Sequence, residues 1–377
     1  MTKVLTVLVF YACAAALPLM AQESLPLSLE EALDAAFKNN KEIIMASLDE
    51  ERADAMFKQT NAVFLPHIRV SYTAMGSNNP LNAFGFKLQQ QSIATSDFNP
   101  ELLNNPSSTQ NFLTKAEWQQ SIINMDMLYM RRAANEQRAV YTFKSKRTKE
   151  YLAFEVRKAY AQLQLAHQAK SVMQEALQMV NAIYNATYNR FEKGLLQKSD
   201  VLNVQVQVST TESQMAGAVS NARNASDYLS LLMGVNAGPV YAVNSVSDLQ
   251  PAENADALLP QNRADFQALQ SAISAQDQMI QSGKMSYLPK INGFAEYMIN
   301  DNEALGFGSN SYLVGAQLSW TLFNGMATRN TIYQQRIERD KLTQQLIQQK
   351  ELGQLELNKT LRQEQDARLS VQQYDAA

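Results

Sequence analysis

From Arg131 to Lys193 the chain contains neither glycine nor proline. Nothing in that run interrupts an α-helix, so about 63 residues can form one rod roughly 95 Å long at 1.5 Å rise per residue. Helix propensity alone does not hold such a rod together in water; it needs partners along its length. Leu152, Val156, Ala159, Leu163, Ala166, Met173, Leu177, Val180 and Tyr184 supply the means. They fall on an alternating four-three spacing broken only at Lys170, which is a coiled-coil seam.

The partners are legible on either side. Ser28-Leu29-Glu30-Glu31 has the form of a capping box, and no glycine or proline intervenes before Pro66, so a helix is expected from 29 to about 64. After a turn centred on Gly194 and Ser199, a further helix is expected from Asp200 to Met233, closed by Gly234. Placed end to end, 29–64 and 200–233 match the single helix 131–193, giving a double-length helical hairpin.

At Pro66 the period changes from helical to alternating. Ile68, Val70, Tyr72 and Ala74 alternate with His67, Arg69, Ser71 and Thr73, a strand with one apolar face. Residues 76–114, rich in Asn, Pro and Ser, read as a long surface loop folded on itself, and a weaker strand is expected over about 118–128, with Ile123, Met125 and Met127 on one face. Asn39–Ile68 aligns without a gap on Asn262–Ile291, and the shared Leu65-Pro66 and Leu288-Pro289 fall at the helix-to-strand junction. The plan therefore repeats: an internal duplication with halves at 22–234 and 262–377, joined by a Gly/Pro-containing linker at 235–261. Matching Glu155-Val156 to Glu356-Leu357 leaves the second half without a counterpart to 177–234, about 58 residues, so the chain is expected to be incomplete at its C-terminus.

The clearest strand lies in the second half. Tyr312, Val314, Ala316, Leu318, Trp320 and Leu322 alternate with small, polar or mixed residues, the pattern of a barrel strand with lipid outside and water inside. Four such strands cannot close a membrane barrel, since the smallest have about eight, so the barrel is expected to be shared among subunits.

Residues 1–21 run from Lys3 through an apolar stretch, Val4 to Leu17, to Ala21 and then polar residues, the layout of a secretory signal peptide. The only cysteine, Cys13, lies inside it, so the mature chain forms no disulfide. No later segment is a membrane-spanning helix by length and apolarity. A net charge of −3 gives no electrostatic footprint for nucleic acid, and scarce glycine and proline suit long helices. The fold class is mainly α with a small β part.

These residues resemble the TolC-like outer-membrane efflux proteins along essentially the whole mature chain. Leu27-Ser28-Leu29-Glu30-Glu31-Ala32-Leu33 with Asn39-Asn40 is similar to that family's first helix. Tyr188-Asn189-Arg190-Phe191-Glu192-Lys193-Gly194 followed by Ser199-Asp200-Val201-Leu202 resembles its helical tip, and Asn262-Arg263-Ala264-Asp265-Phe266 the start of its second repeat. The resemblance implies a homotrimer, each subunit giving four strands to a twelve-stranded outer-membrane β-barrel continued by a periplasmic α-barrel tunnel. It also implies docking with a periplasmic adaptor (membrane fusion) protein and an inner-membrane pump, in a tripartite efflux or type I secretion system. The acidic tunnel constriction of that family falls in the part without a counterpart here.

Catalytic constellations are missing from the sequence: there is no zinc spacing, phosphate loop or serine elbow. His67 and His167 read as lumen or surface polarity. Met125, Met127 and Met130 read as packing at a strand-to-helix junction rather than as a soft-metal site. No enzyme activity and no cofactor or metal are expected. The best candidate site is the tip, Gly194, Leu195, Leu196, Ser199 and Asp200, where Gly194 can take positive φ, Ser199 can cap the next helix, and two leucines stand at an exposed turn, suited to an adaptor contact. Tyr312, Val314, Ala316, Leu318 and Trp320 are the candidate lipid-facing residues, with Trp118, Tyr312 and Trp320 suited to membrane interfaces. A soluble periplasmic coiled-coil scaffold shares the signal, seam and hairpin, but gives no reason for paired amphipathic strands.

Overall fold

The computed structural model describes residues 25–244 and 258–376. The expected signal peptide with Cys13, and much of the expected linker, lie outside the described residues. In chain order the elements are β1 (Leu25–Pro26), α1 (Leu29–Asn39), α2 (Lys41–Gln59), a 3-10 turn (Thr60–Phe64) and β2 (His67–Ser77). Then come α3 (Pro80–Gln89), a second 3-10 turn (Thr95–Phe98), α4 (Pro100–Asn104), β3 (Thr109–Ile123), α5 (Met125–Glu192) and α6 (Lys198–Met233). The chain continues through β4 (Tyr241–Ala242), α7 (Ala264–Met285), β5 (Lys290–Asp301), β6 (Ser309–Ser319) and α8 (Ala327–Asp375). Two units share them, the first holding residues 1–47 and 145–255 and the second 48–144 and 256–377.

The first unit is helical. Ser28 and Glu31 form the capping box: the Glu31 amide donates to Ser28 Oγ at 3.2 Å and the Ser28 amide to Glu31 Oε2 at 2.8 Å. The Ser28 amide and then the Ser28 hydroxyl, which also donates to Glu31 Oε2 at 2.8 Å, favour the charged carboxylate and hold its pKa below the usual value. From that start α1 presents Ala32 and Ala36, both fully buried, to the seam residues Leu152, Val156, Ala159 and Leu163 of α5 and to Leu229 and Met233 of α6. Small residues on one helix let the bulky seam of the next come close. Tyr160 belongs to the same core, and its hydroxyl donates to the Leu27 carbonyl at 2.9 Å. Farther along α5 the seam residue Val180 is again buried. β1 and β4 pair in parallel, Leu25 opposite Tyr241.

The expected single helix over 29–64 is broken. Asn40 takes an extended backbone (φ −63°, ψ 131°) between α1 and α2. Its Oδ1 accepts from the Glu42 amide at 2.8 Å while its Nδ2 donates to the Leu232 carbonyl, also at 2.8 Å. A buried amide satisfied by a carbonyl 192 residues away fixes the break.

The second unit holds an antiparallel sheet in the order β2-β3-β5-β6. α7 packs on α8, where Gly283 lies so near Ile332 that a Cβ at 283 would stand 2.7 Å from its side chain. Phe266, fully buried, lies beneath the Arg263 guanidinium, 4.8 Å from the ring centre. Asp54 of α2 pairs with Lys58 at 2.7 Å and Arg138 at 3.1 Å. Those two cations, Lys58 first, hold its carboxyl below the ordinary range. Among the described residues no helix is long and apolar enough to cross a membrane.

Two further expectations are corrected. The 76–114 stretch contains α3, α4 and a 3-10 turn, and β3 starts at Thr109, well before the expected 118. α5 begins at Met125, so Met125 and Met127 lie on a helix and not on a strand face.

Candidate functional site

The two faces of the sheet differ in charge. Cross-strand register puts Arg69, Glu117, Glu296 and Leu313 in one row, since opposed residues point to the same side. Lys115 shares this side, and its Nζ lies 2.6 Å from Glu117 and 2.9 Å from Glu296. Two carboxylates directly opposite repel, and the lysine between them offsets that repulsion. Where β2 and β5 start and β3 and β6 end, a cavity of about 420 Å³ is lined by His67, Gln119, Asn292, Phe294, Glu296 and Gln317. All four strands contribute, so the sheet curves around its polar side.

The opposite face carries no charge except Asp301, which stands opposite Phe112 at the loop end of β5. It is built from Ile68, Val70, Tyr72 and Ala74 of β2, Phe112, Ala116 and Trp118 of β3, Ala295, Tyr297 and Ile299 of β5, and Tyr312, Val314, Ala316 and Leu318 of β6. Large members stand open: Ile68 is 73% exposed, Val70 69%, Tyr312 78% and Val314 68%. β6 ends at Ser319, one residue short of Trp320, whose Nε1 donates to the Tyr287 carbonyl at 2.9 Å. A contiguous bare apolar face of this kind marks a surface that does not meet water in the working molecule.

At the end of the sheet away from α7 and α8, the insertion between β2 and β3 is bound to the polar side. Asn111 is fully buried there and its Nδ2 donates to Asn300 Oδ1 at 2.9 Å. Gln90 Nε2 donates to the Gln110 carbonyl at 2.7 Å and to Asn111 Oδ1 at 3.0 Å, and Ser309 Oγ donates to the Gln89 carbonyl. Within the insertion Lys87 meets Asp97 at 2.6 Å, and this bond, then the Ala94 amide, lowers the Asp97 pKa.

The tip between α5 and α6 follows its glycine. Gly194 has φ +75°, its amide donates to the Phe191 carbonyl and the Leu195 amide to the Arg190 carbonyl, at 2.8 and 2.9 Å. This is a Schellman close. Leu195 is 71% exposed, whereas Leu196 is half-buried. Ser199 does not cap α6: the helix begins at Lys198, Gln197 holds the cap position, and Asp200 Oδ2 accepts from the Gln197 amide at 3.0 Å. A carboxylate reaching back to the first free amide displaced the shorter hydroxyl.

His67 is exposed on the polar side of β2, and His167 Nε2 lies 2.8 Å from the Tyr241 carbonyl, joining α5 to β4. The charged row of β3 and the Asn111–Asn300 pair escaped sequence reasoning. Their signal, Asn111, Lys115, Glu117 and Gln119 on alternate positions interrupted only by Leu113, was present but resembles loop composition.

A family model described as outer membrane efflux protein matches residues 32–235. Comparison with curated proteins gives no match. Among solved structures, the fold is similar to that of CusC, from work on conformational changes accompanying folding and transmembrane channel formation. The two are 16% identical, with a TM-score of 0.75 over 93% of this chain and 80% of that one. It is also similar to the Campylobacter jejuni CmeC outer membrane channel (16% identity, TM-score 0.72, 92% and 74% covered). A third is the outer membrane protein VceC from the bacterial pathogen Vibrio cholerae (15%, 0.70, 91% and 79%). At such identities the likeness is one of fold, while the family match spans more than half of the chain. The chain therefore belongs to the outer membrane efflux protein family and is an outer-membrane efflux channel protein rather than an enzyme.

Proposed function

We propose that this chain is one subunit of a homotrimeric passive export duct that works with a periplasmic adaptor and an inner-membrane pump. One observation carries the reading: an open sheet whose one face is apolar and exposed, charged only at Asp301 at its loop end, and whose other face is charged and concave. β2 and β6 form its edges, each paired on one side only among the described residues. Exposed edges recruit further strands, and strand addition by identical copies removes them by closure. In that closed barrel Tyr312, Val314, Ala316, Leu318 and Trp320 face outer-membrane lipid, and Arg69, Lys115, Glu117 and Glu296 face the water-filled path.

The halves 22–234 and 262–377 are read as related repeats; the gapless alignment pairs His67 with Lys290, the first residues of β2 and β5. The long helices continue the barrel as a periplasmic tunnel. The tip at Gly194, Leu195, Leu196, Ser199 and Asp200 is the adaptor contact, supported by the large exposure of Leu195 on a rigid turn. A soluble scaffold gains nothing from a bare apolar sheet face, which would drive it to aggregate.

The test is fractionation of cells making the full chain, followed by electrophoresis with and without heating. Outer-membrane recovery with a heat-sensitive trimer is expected. Soluble periplasmic monomer would overturn the reading.

A further inference from the structure

The hairpin between β5 and β6 is built around Asp301. The Asp301 carboxylate accepts from the Glu303 amide at 3.0 Å, and the Gly306 amide donates to the Glu303 carbonyl at 3.1 Å. Gly306 and Gly308 lie against that carboxylate so closely that a Cβ at either would collide with it, at 2.8 Å in the case of 308. Between them and beside them, Leu305 and Phe307 are 74% and 73% exposed. The Asp301 carboxylate thus turns into the loop, and Leu305 and Phe307 stand outward beside the exposed Asn302 and Glu303. Leu305 also adopts φ +58°, a conformation that costs a leucine energy and persists only where surrounding contacts fix it.

One such contact gives the loop a direction. The Leu305 amide donates to the Tyr72 hydroxyl at 2.9 Å. Tyr72 lies on β2, on the apolar face, stacked on Phe112 with ring centres 6.3 Å apart. The loop therefore reaches from the β5–β6 end across β3 to a tyrosine on the apolar side, while the β2–β3 insertion is bound to the polar side. The two connections at this end of the sheet part to opposite faces.

We propose that the 302–308 loop is a lipid-interface anchor, laying Leu305 and Phe307 into the headgroup and acyl boundary of the outer leaflet. This rests on the reading of the apolar face as lipid-facing, with which the loop is continuous through Tyr72. Aromatic and apolar side chains next to a tyrosine at the edge of an apolar band match the chemistry of that boundary, where one end of the group is dry and the other wet. The anchor fixes how deep the barrel sits at its outer end.

The experiment is single-tryptophan quenching of the full chain in phosphatidylcholine vesicles brominated at shallow acyl positions. The chain has two tryptophans, Trp118 and Trp320, so Phe307→Trp is placed in a Trp118→Phe, Trp320→Phe background, and Trp118→Phe alone leaves Trp320 as the strand reference. An indole held ~5–10 Å into the boundary is expected to lose on the order of half its emission to bromine and to resist aqueous acrylamide. Trp320 quenched by bromine with the indole at 307 unquenched and open to acrylamide would overturn the anchor and leave the lipid-facing strand standing. An indole at 307 shielded from both quenchers would place a second copy over the loop and overturn the lipid assignment. Neither site quenched by bromine would overturn the anchor together with the membrane reading of the sheet.

Discussion

Gly234 lies directly against the backbone of Asn39, so close that a Cβ at position 234 would overlap the Asn39 carbonyl. Gly234 also closes α6 with φ +69°, its amide donating to the Leu231 carbonyl at 3.0 Å. One glycine thus meets two demands, a left-handed backbone and a helix crossing with no room for a side chain. Gly234→Ala should destabilise the first unit by more than the ~1–2 kcal/mol of the left-handed conformation alone. A lowered Tm in thermal unfolding checks this, and an unchanged Tm would show that the crossing relaxes.

Lys115 sits between two carboxylates on opposed strands. Lys115→Met should leave Glu117 and Glu296 repelling each other and lower stability by roughly 0.2–1 kcal/mol, the scale of cross-strand pairs. Adding Glu296→Gln should restore most of the loss. A double-mutant cycle with no coupling between the two positions would contradict the assignment.

The insertion over 78–108 should loosen in acid. The Lys87 ammonium and the Ala94 amide hold the Asp97 pKa below its ordinary 3.8. A group whose folded pKa is depressed contributes stability above its unfolded pKa and loses it as pH falls through the folded value. The window therefore opens below pH 3.8 and extends down through the depressed value. Protection against hydrogen exchange across 80–104, corrected for the intrinsic rate, should fall in that window, and Lys87→Ala should lessen this fall, leaving the part due to the Ala94 amide. Gln90→Ala, which frees the Asn111 end of the insertion, should quicken exchange at every pH.

At the tip, Leu195→Asp should abolish crosslinking to a periplasmic adaptor and cut export while leaving the melting curve within about 0.5 kcal/mol of the parent, as for surface substitutions. Gly194→Arg adds the left-handed cost of ~1–2 kcal/mol and should shift the curve as well. Crosslinking retained in Leu195→Asp would remove the tip from the interface.

Local signals in this sequence carried the helices whose capping and seam residues lie close together. Ser28 with Glu31, the positive φ of Gly194 and the seam from Leu152 to Leu163 needed no distant partner to be legible. The break at Asn40 was hidden because its cause is the Leu232 carbonyl, far along the chain. Asn79-Pro80 and Asn99-Pro100 read as loop punctuation, yet each asparagine side chain accepts from the first amides of a short helix and each proline opens it. The first half of β3 was missed because Thr109, Gln110, Asn111, Thr114 and Lys115 outnumber its apolar residues, and so polar a strand imitates loop composition. β6, with nothing charged on either side, was the easy case.

Cysteine scanning of β6 in intact outer membranes tests the central claim, that one face of this sheet meets lipid and the other water. The sole native cysteine, Cys13, lies within the segment expected to be removed on export. A membrane-impermeant maleimide should label cysteines at 313, 315 and 317 and spare those at 312, 314, 316 and 318. Labelling that runs evenly through 312–318, or that reverses this alternation, would contradict the account.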